Sequence, residues 1–446
     1  IDRTARNPNL LLWHRVLRPI DHGAAFGFHH RWDAQTPLEL DEERVVRPFA
    51  AITDHVLLQR ATRIAELDAQ RSDAAAAAGR LAATSLAVAD LLQGPRPYLL
   101  LGANNAEMRN GSGMALSAAE LSFDQGRMRL GEVRPTADLV VPAGAVEGPA
   151  ALAANWPWID TGRDLRNVGL TADFPQSAAL AVENWKAVPG GGDVGGVILI
   201  DVDGIRSLLR VVGPVEVDGV RYTADNVRGE LLRKQYARFD GDRAGRRDQL
   251  GDVARAIFDR LEAGRWRLED LATELSDAVQ GRHLLVWSTD PEAAEAWRAV
   301  HADGHLEERT VSVGLLNRSA TKADSWIDAG VDVSSTARED GRRELTVTTT
   351  IDNRAPGSGP AYLVGPNVPG LAVGDHVALA VVNLPAGATD VTMSGAEVFL
   401  QGGDGPTVVV GGKVTVGCLS ATGRQQADSG GKHASEQGSV MFHGDS

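Results

Sequence analysis

At 446 residues, with 43% hydrophobic residues, the chain exceeds one ordinary core and suits two or three domains. Its net charge of −14 repels phosphate backbones and sets aside a general nucleic-acid binder. The single cysteine, Cys418, excludes an internal disulfide, and no window carries the roughly 18 uninterrupted apolar residues of a membrane span.

Residues 1–43 read as an irregular arm, with Pro8, Pro19 and Pro37 among the aromatics Trp13, Phe26, Phe28 and Trp32. Apolar positions then recur at helical spacing from Val45 to Leu67 and from Ala74 to Leu92. Arg71-Ser72-Asp73 reads as a break with Ser72 or Asp73 as N-cap, so a helical hairpin is expected. Tyr98–Leu101, ended by Gly102, is a short buried strand. Residues 114–123 and 127–133 alternate around Asp124-Gln125-Gly126 and predict a hairpin. A helix is expected over 171–188, with Pro175 near its start. Val197–Ile200 is a strand, and Asp201 opens a helix that Gly213-Pro214 stops. Further helical stretches at 223–238 and 246–263, the strand Leu284–Trp287 and a helix from Pro291 to His301 complete an alternating α/β region.

From 331 onward helical periodicity is lost. Val331–Val333, Leu345–Thr349, Val377–Val382, Val391–Met393 and Val408–Val410 are short strands separated by Gly, Pro, Asn and Asp, the pattern of a β-sandwich. This stretch is expected to fold separately and to hold no binding site. The tail after Ser420 is rich in Gly, Ser and Gln and is expected to be disordered.

Three features can carry chemistry. Asn104-Asn105-Ala106-Glu107-Met108-Arg109-Asn110-Gly111 follows a central strand, where open α/β sheets bind ligands. It offers amides, a carboxylate and a guanidinium; the plainer reading is a capped turn with Arg109 paired to Glu107. Arg228, Arg233, Arg238, Arg243, Arg246 and Arg247 lie within a short stretch, interleaved with Asp240, Asp242 and Asp248. They form either a solvated face of mixed charge or, in part, a bidentate phosphate grip. Arg127 and Arg129 share an exposed face of the hairpin, whereas Arg134, before Pro135, can point into a cleft. Other patterns fail on their order. The glycines at 190–196 precede a strand, where a dinucleotide loop must follow one. His301 and His305 lack the general-base Glu of a zincin, with Ala302 in its place. His22, His29 and His30 have no Cys partners.

The run Tyr98-Leu99-Leu100-Leu101-Gly102-Ala103-Asn104-Asn105-Ala106-Glu107-Met108-Arg109 resembles the signature of an actinobacterial envelope family, the domain of unknown function 4012. Asp173–Ala178, Val197–Asp201, Val211–Val215, Thr223–Val227 and Val253–Phe258 are similar to its later motifs, in order, over about 97–330. Near Asn317–Lys322 the pattern departs, with Arg318 and Ser319 where that family usually has Asn and Gly. More distantly, the same region resembles the LytR-CpsA-Psr transferases, which move an undecaprenyl-diphosphate-linked glycopolymer onto peptidoglycan with magnesium. That resemblance implies a greasy tunnel for the lipid. It places Arg109 and Arg134 where two phosphate-binding arginines would be, and Gly245-Arg246-Arg247-Asp248-Gln249 at an Arg/Gln-rich helix start. We therefore expect Arg109, Arg134, Arg246 and Arg247 on the diphosphate, Asn104, Asn105 and Gln249 as further ligand contacts, and Glu107 or Asp138 as magnesium ligands. The chain departs at Gly111-Ser112-Gly113, where those enzymes carry a Ser-Asp-Thr motif, and at Pro135, where they carry Asp. Neutral replacements remove charge that a hard cation needs.

The expected fold is a LytR-CpsA-Psr-like α/β domain with a central mixed sheet over 95–330, preceded by the arm and helical hairpin (1–94) and followed by an all-β sandwich (331–420) and a tail (421–446). The expected function is extracytoplasmic, at the cell membrane or surface: binding or transfer of a polyprenyl-diphosphate-linked glycopolymer in cell-wall assembly. Membrane attachment is expected through an N-terminal segment that this sequence does not include. The alternative is a non-catalytic surface scaffold or adhesion protein whose transferase-like domain is degenerate. An apolar tunnel beside Arg109 would discriminate between them.

Overall fold

The computed structural model describes residues 56–94, 96–124, 126–239 and 242–418, together with four strand segments nearer the termini. Trp13 falls in one of these strands, and Phe26, Phe28 and Trp32 lie outside the described residues. The chain divides into two units, Ile1–Ala82 and Ala83–Ser446. In the first, Leu10–Trp13 (β1), Val16–Pro19 (β2) and Leu38–Glu39 (β3) form a small antiparallel sheet in the order β1-β2-β3.

Val56–Gln93 is one continuous helix of 38 residues, which corrects the expected helical hairpin. Ser72 and Asp73 lie exposed within it and cap nothing. The alanine run that follows has the highest helix propensity, so continuing one helix costs less than nucleating a second.

In the second unit, Tyr98–Met108 (β4), Gly113–Asp124 (β5), Arg127–Leu130 (β6), Arg134–Pro135 (β7) and Gly196–Ile200 (β8) build a mixed sheet. Val215–Val217 (β9) and Val220–Tyr222 (β10) form a small ribbon of their own. Leu284–Ser288 (β11) completes the large sheet, ordered β11-β8-β4-β5-β6 with β7 beside β5. Strands β4 and β8 are parallel neighbours, Leu99 opposite Val197 and Leu101 opposite Leu199, as their continuous apolar runs predict. The other pairings are antiparallel. Alternation sends Leu99, Leu101, Val197 and Leu199 to one face, where Phe174, Ala178 and Trp185 of the Phe174–Ala187 helix cover them. It sends Leu100, Ile198 and Ile200 to the other, against Leu208, Leu231, Ile257 and Phe258.

Strand β4 runs further than expected. Asn104–Met108 continues it through two register shifts rather than forming a loop, and the turn comes only at Asn110–Ser112.

The remaining strands are Ser312–Asn317 (β12), Ile327–Ala337 (β13), Arg343–Asn353 (β14), His376–Leu384 (β15), Thr389–Ser394 (β16), Glu397–Asp404 (β17), Thr407–Val416 (β18) and Gly438–Asp445 (β19). They form two antiparallel sheets, β12-β15-β18-β17 and β13-β14-β19-β16. Val347 and Ile351 of one sheet meet Ala380, Val382, Val410 and Val414 of the other in one apolar cluster. Two boundaries depart from expectation. Ser312–Asn317, upstream of residue 331, belongs to the first sheet. Gly438–Asp445, within the tail expected to be disordered, pairs with both β14 and β16. The polar composition of the whole tail hides the short run Val440-Met441-Phe442 that a strand can use.

Nor is this β region separate. Leu152, Trp156, Leu170 and Leu180 of the α/β part share a buried cluster with Leu316, Leu379, Val381, Leu400 and Val409. A polar latch seals the seam. Asp404 accepts from Thr171 Oγ1, from the Ala172 N–H at 3.0 Å and from Asn383 Nδ2 at 3.0 Å, while Asn155 Nδ2 donates to the Gly403 carbonyl at 2.8 Å. Among the described residues no helix is long and apolar enough to cross a membrane.

Because Trp156 is 1% exposed at this seam, Trp156→Ala is expected to cost about 3–5 kcal/mol. In denaturant titrations, circular dichroism and tryptophan fluorescence should lose both parts in one transition. A β region that stays folded after the α/β part unfolds would contradict the shared core.

Candidate functional site

The carboxyl ends of the parallel strands β4 and β8 bring together what the site is made of. Asp201 ends β8 and caps the Val202–Val212 helix, its Oδ1 accepting from the N–H groups of Asp203 (2.8 Å) and Gly204 (3.0 Å). Asn105 spans the two strands: its Nδ2 donates to Asp201 Oδ2 at 2.8 Å and its Oδ1 accepts from the Val202 N–H at 3.1 Å. Asn105 is therefore a clasp between a strand and a helix start.

Beside this clasp, on the Leu100 face of the sheet, lies a partly open groove. Leu100, Ile200, Leu231, Leu250, Val253 and Phe258 are among the side chains that make its walls apolar, and Asn104, Ser117 and Asp201 add polar groups. It opens beside Asn104, not beside Arg109, which is absent from its lining. Leu231 reaches the groove from a π-helical turn, Glu230–Lys234, inside the Val227–Arg238 helical stretch. Such turns often mark functional sites.

Asn104 joins the groove to a cluster of charges. Its Nδ2 donates to the Tyr236 hydroxyl at 2.7 Å. The Tyr236 and Tyr362 rings lie 5.7 Å apart, and two cations share them. Arg246 sits 5.1 Å from each ring centroid, and the Lys322 ammonium 5.9 Å from Tyr236 and 5.7 Å from Tyr362. Lys322, 4% exposed, pairs with Glu107, whose other oxygen lies 3.7 Å from Arg109. Arg109 and Arg246 thus meet one cluster from distant parts of the chain. Among the described residues Arg246 makes no ion pair. Burial works against a charged Lys322, but the fields of Tyr236 and Glu107 outweigh it and hold the ammonium above its ordinary value. Burial pushes the Tyr236 phenol up.

Below this cluster, Asp324 accepts from the Met108 N–H at 2.6 Å and from Asn317 Nδ2 at 2.9 Å. Burial raises its carboxyl and lowers the neighbouring His376 imidazole, so both are biased toward their neutral forms. They approach to 3.3 Å without hydrogen-bond alignment. Ser319 Oγ lies 3.3 Å from His376 Nδ1, but it also donates to the Val377 carbonyl and accepts from the Val377 N–H. Ser319 is 0% exposed, so this Ser-His-Asp sequence of contacts is a structural tie rather than a nucleophile.

The other expected site residues fall elsewhere. Arg134 lies over the Trp185 ring at 5.6 Å and donates to the Pro189 carbonyl, on the face of the sheet opposite the groove. Gln249 is buried and accepts from Arg238 at 3.4 Å, within the Glu230–Arg238 pair. Arg228 meets Asp203, and Arg233 lies over Trp326, so the arginine-rich stretch is dispersed. The side chains of Arg243 and Arg247 lie outside the described residues. Asp138 sits in a short 3-10 turn and feels the Arg166 guanidinium. The expectation of magnesium at Glu107 or Asp138 does not fit these surroundings. Both Glu107 oxygens face cations and Asp138 has another in its field, where a hard dication needs uncompensated oxygens. The metal-like spacing among the described residues is instead at Asp201, Asp203 and His283, with ligand atoms within 4.8 Å of one another. Asp201 is already engaged there by two backbone N–H groups, by Asn105 and by His283 Nδ1 at 2.8 Å.

Lys322, Tyr236 and Tyr362 had no signal of their own in the sequence.

The fold and site together define a mixed α/β protein with an apolar groove and, joined to it through the Asn104–Tyr236 hydrogen bond, a buried cationic cluster. Residues 93–236 match the model of the family described as Protein of unknown function (DUF4012). No curated protein and no solved structure matches the chain.

Two outcomes follow. Lys322→Met, which leaves Glu107 with only Arg109, should cost roughly 3 kcal/mol in chemical denaturation, and adding Glu107→Gln should recover much of it. The Asp201 hydrogen bond raises the His283 imidazole against partial burial. Its stabilisation is full below the unfolded value near 6.5 and is lost as pH rises through the raised folded value. With the side chain 38% exposed, solvent screening holds the effect below about 1 kcal/mol. Wild type should exceed His283→Gln in stability at pH 5.5 and converge on it at alkaline pH.

Proposed function

We propose that this protein binds a polyprenyl-diphosphate-linked glycopolymer, or transfers it, at the extracytoplasmic face of the cell envelope. The carrying observation is the junction at Asn104. One side of that residue lines an apolar groove, and its amide donates to Tyr236, on whose ring Lys322 and Arg246 converge. A ligand with a long apolar chain and an anionic head matches both halves. The chain removes groove surface from water, worth about 25 cal/mol per Å². In this reading the head reaches past Asn104 toward Lys322 and Arg246, while Arg109, off the groove's lining, acts through Glu107, which neutralises the cations only in part. Asp324, biased by burial toward its neutral form, adds little compensation. Burying a diphosphate is costly unless such cations pair with it.

In this reading the α/β part is LytR-CpsA-Psr-like, the two antiparallel sheets are a sandwich packed on its flank, and the membrane is reached through a segment outside this sequence. Arg109 and Arg246 are the members of the expected diphosphate set that join the cluster, with Lys322 added. Arg134 takes no part. Magnesium, if bound, would supply charge neutralisation at the diphosphate, but the surroundings of Glu107 and Asp138 do not fit it. Ammonium and guanidinium groups do that work here. The same misfit is the observation that favours the second reading, a non-catalytic surface scaffold that binds without transferring.

Titration of the full chain with a fluorescent polyprenyl diphosphate tests the proposal. Wild type is expected to bind, more weakly as salt rises. Arg246→Ala should lose roughly tenfold through the head, and Leu250→Trp should lose binding by filling the groove. No binding by the wild type, or equal binding by both variants, would overturn the reading.

A further inference from the structure

The Asp201 carboxylate does more than a helix cap requires. Its Oδ1 satisfies the Asp203 and Gly204 N–H groups, and Asn105 supplies the Val202 N–H. The imidazole of His283, donating through Nδ1 to Asp201 Oδ2 at 2.8 Å, satisfies no backbone group of the helix. A carboxylate accepts only, so the Nδ1 proton is fixed on the Asp201 side. That leaves Nε2 as the basic nitrogen, without a partner among the described residues, on a side chain 38% exposed. Asp201 itself lines the groove, as does Asn104, and Asn105, the residue after Asn104, donates to Asp201. A buried carboxylate orienting an exposed imidazole is the arrangement that proton-transfer catalysis uses.

We propose that His283, held beside the groove by the groove-lining Asp201, is the general base of a glycopolymer transfer. The inference rests on the function proposed above. His283 Nε2 takes the proton of an acceptor sugar hydroxyl as that oxygen bonds to the phosphorus carrying the glycan. The bond from this phosphorus to the bridging oxygen breaks, and polyprenyl monophosphate leaves with the electron pair. The proton then passes from Nε2 to solvent. Asp201 is a positioning residue: it fixes the tautomer and touches no reacting atom. Besides Asp201, the charged groups whose fields reach His283 are Asp203, which raises its basicity, and Arg228, which lowers it.

The test uses the full chain, a synthetic polyprenyl-diphosphate-linked disaccharide as donor and a soluble glycan with a free primary hydroxyl as acceptor. Release of polyprenyl monophosphate is followed against pH, and donor affinity is measured separately. The wild-type rate should rise with pH along a limb set by one ionisation. His283→Gln should lower it by about 100-fold or more, abolish that limb and leave donor affinity unchanged, and added imidazole should restore part of the rate. Asp201→Asn should lower kcat and flatten the same pH limb, with donor affinity measured alongside because Asp201 also lines the groove. An unchanged rate and pH profile in His283→Gln would overturn the assignment, as would a wild type that binds donor but releases no monophosphate at any pH. A wild type that binds no donor fails at the parent reading instead.

Discussion

The structure depends on the parallel pairing of β4 and β8. Parallel strands cannot be joined by a tight turn, so the chain between them must cross over, and both faces of the pair must be covered. The crossover carries β5, β6, β7 and the Phe174–Ala187 helix. Helices after β8 cover the other face. Because the two strands point the same way, their carboxyl ends lie side by side. Asn104, Asn105 and Asp201 therefore share one edge of the sheet, although almost a hundred positions separate them in the chain. The groove, the helix cap and the cationic cluster all begin from that edge.

Charge in this molecule is handled by location. The surface is acidic overall, yet Arg109 and Lys322 are placed where little water reaches them. The tyrosine pair makes this tolerable, since ring faces attract cations without neutralising them. A carboxylate in their place would have closed the site to an anion. Glu107 supplies enough negative charge to keep Lys322 ionised while the positive excess remains. Asp324 and His376, one layer deeper, carry hydrogen-bonding duty in largely uncharged form, which suits burial.

The β region participates in this arrangement. Lys322 comes from the loop after β12, Tyr362 from the short Ala361–Val364 helix before β15, and Asp324 precedes β13. The α/β part alone would lack the ammonium, one of the two rings and the tie to the Met108 N–H. The apolar seam at Trp156 and the Asp404 latch keep those loops in place. The separation expected from the change in periodicity fails here because periodicity reports element type, not which apolar faces meet.

Periodicity and punctuation in the sequence determined the elements. Continuous apolar runs made β4 and β8 buried neighbours, Gly213-Pro214 stopped a helix, and the alternation around Gly126 made a hairpin. Local rules suffice where the deciding forces act within a few residues. The sequence also marked Asn104, Asn105, Glu107 and Arg109 as a polar run after a central strand. Only the tertiary structure decided what each side chain meets. It turned Arg134 and Gln249 to other partners and made Asn105 a clasp. It brought Lys322, Tyr236, Tyr362 and His283 to the site from positions with no pattern of their own. Convergence of charge is set by how strands stack and helices cross, and no spacing along the chain encodes that distance.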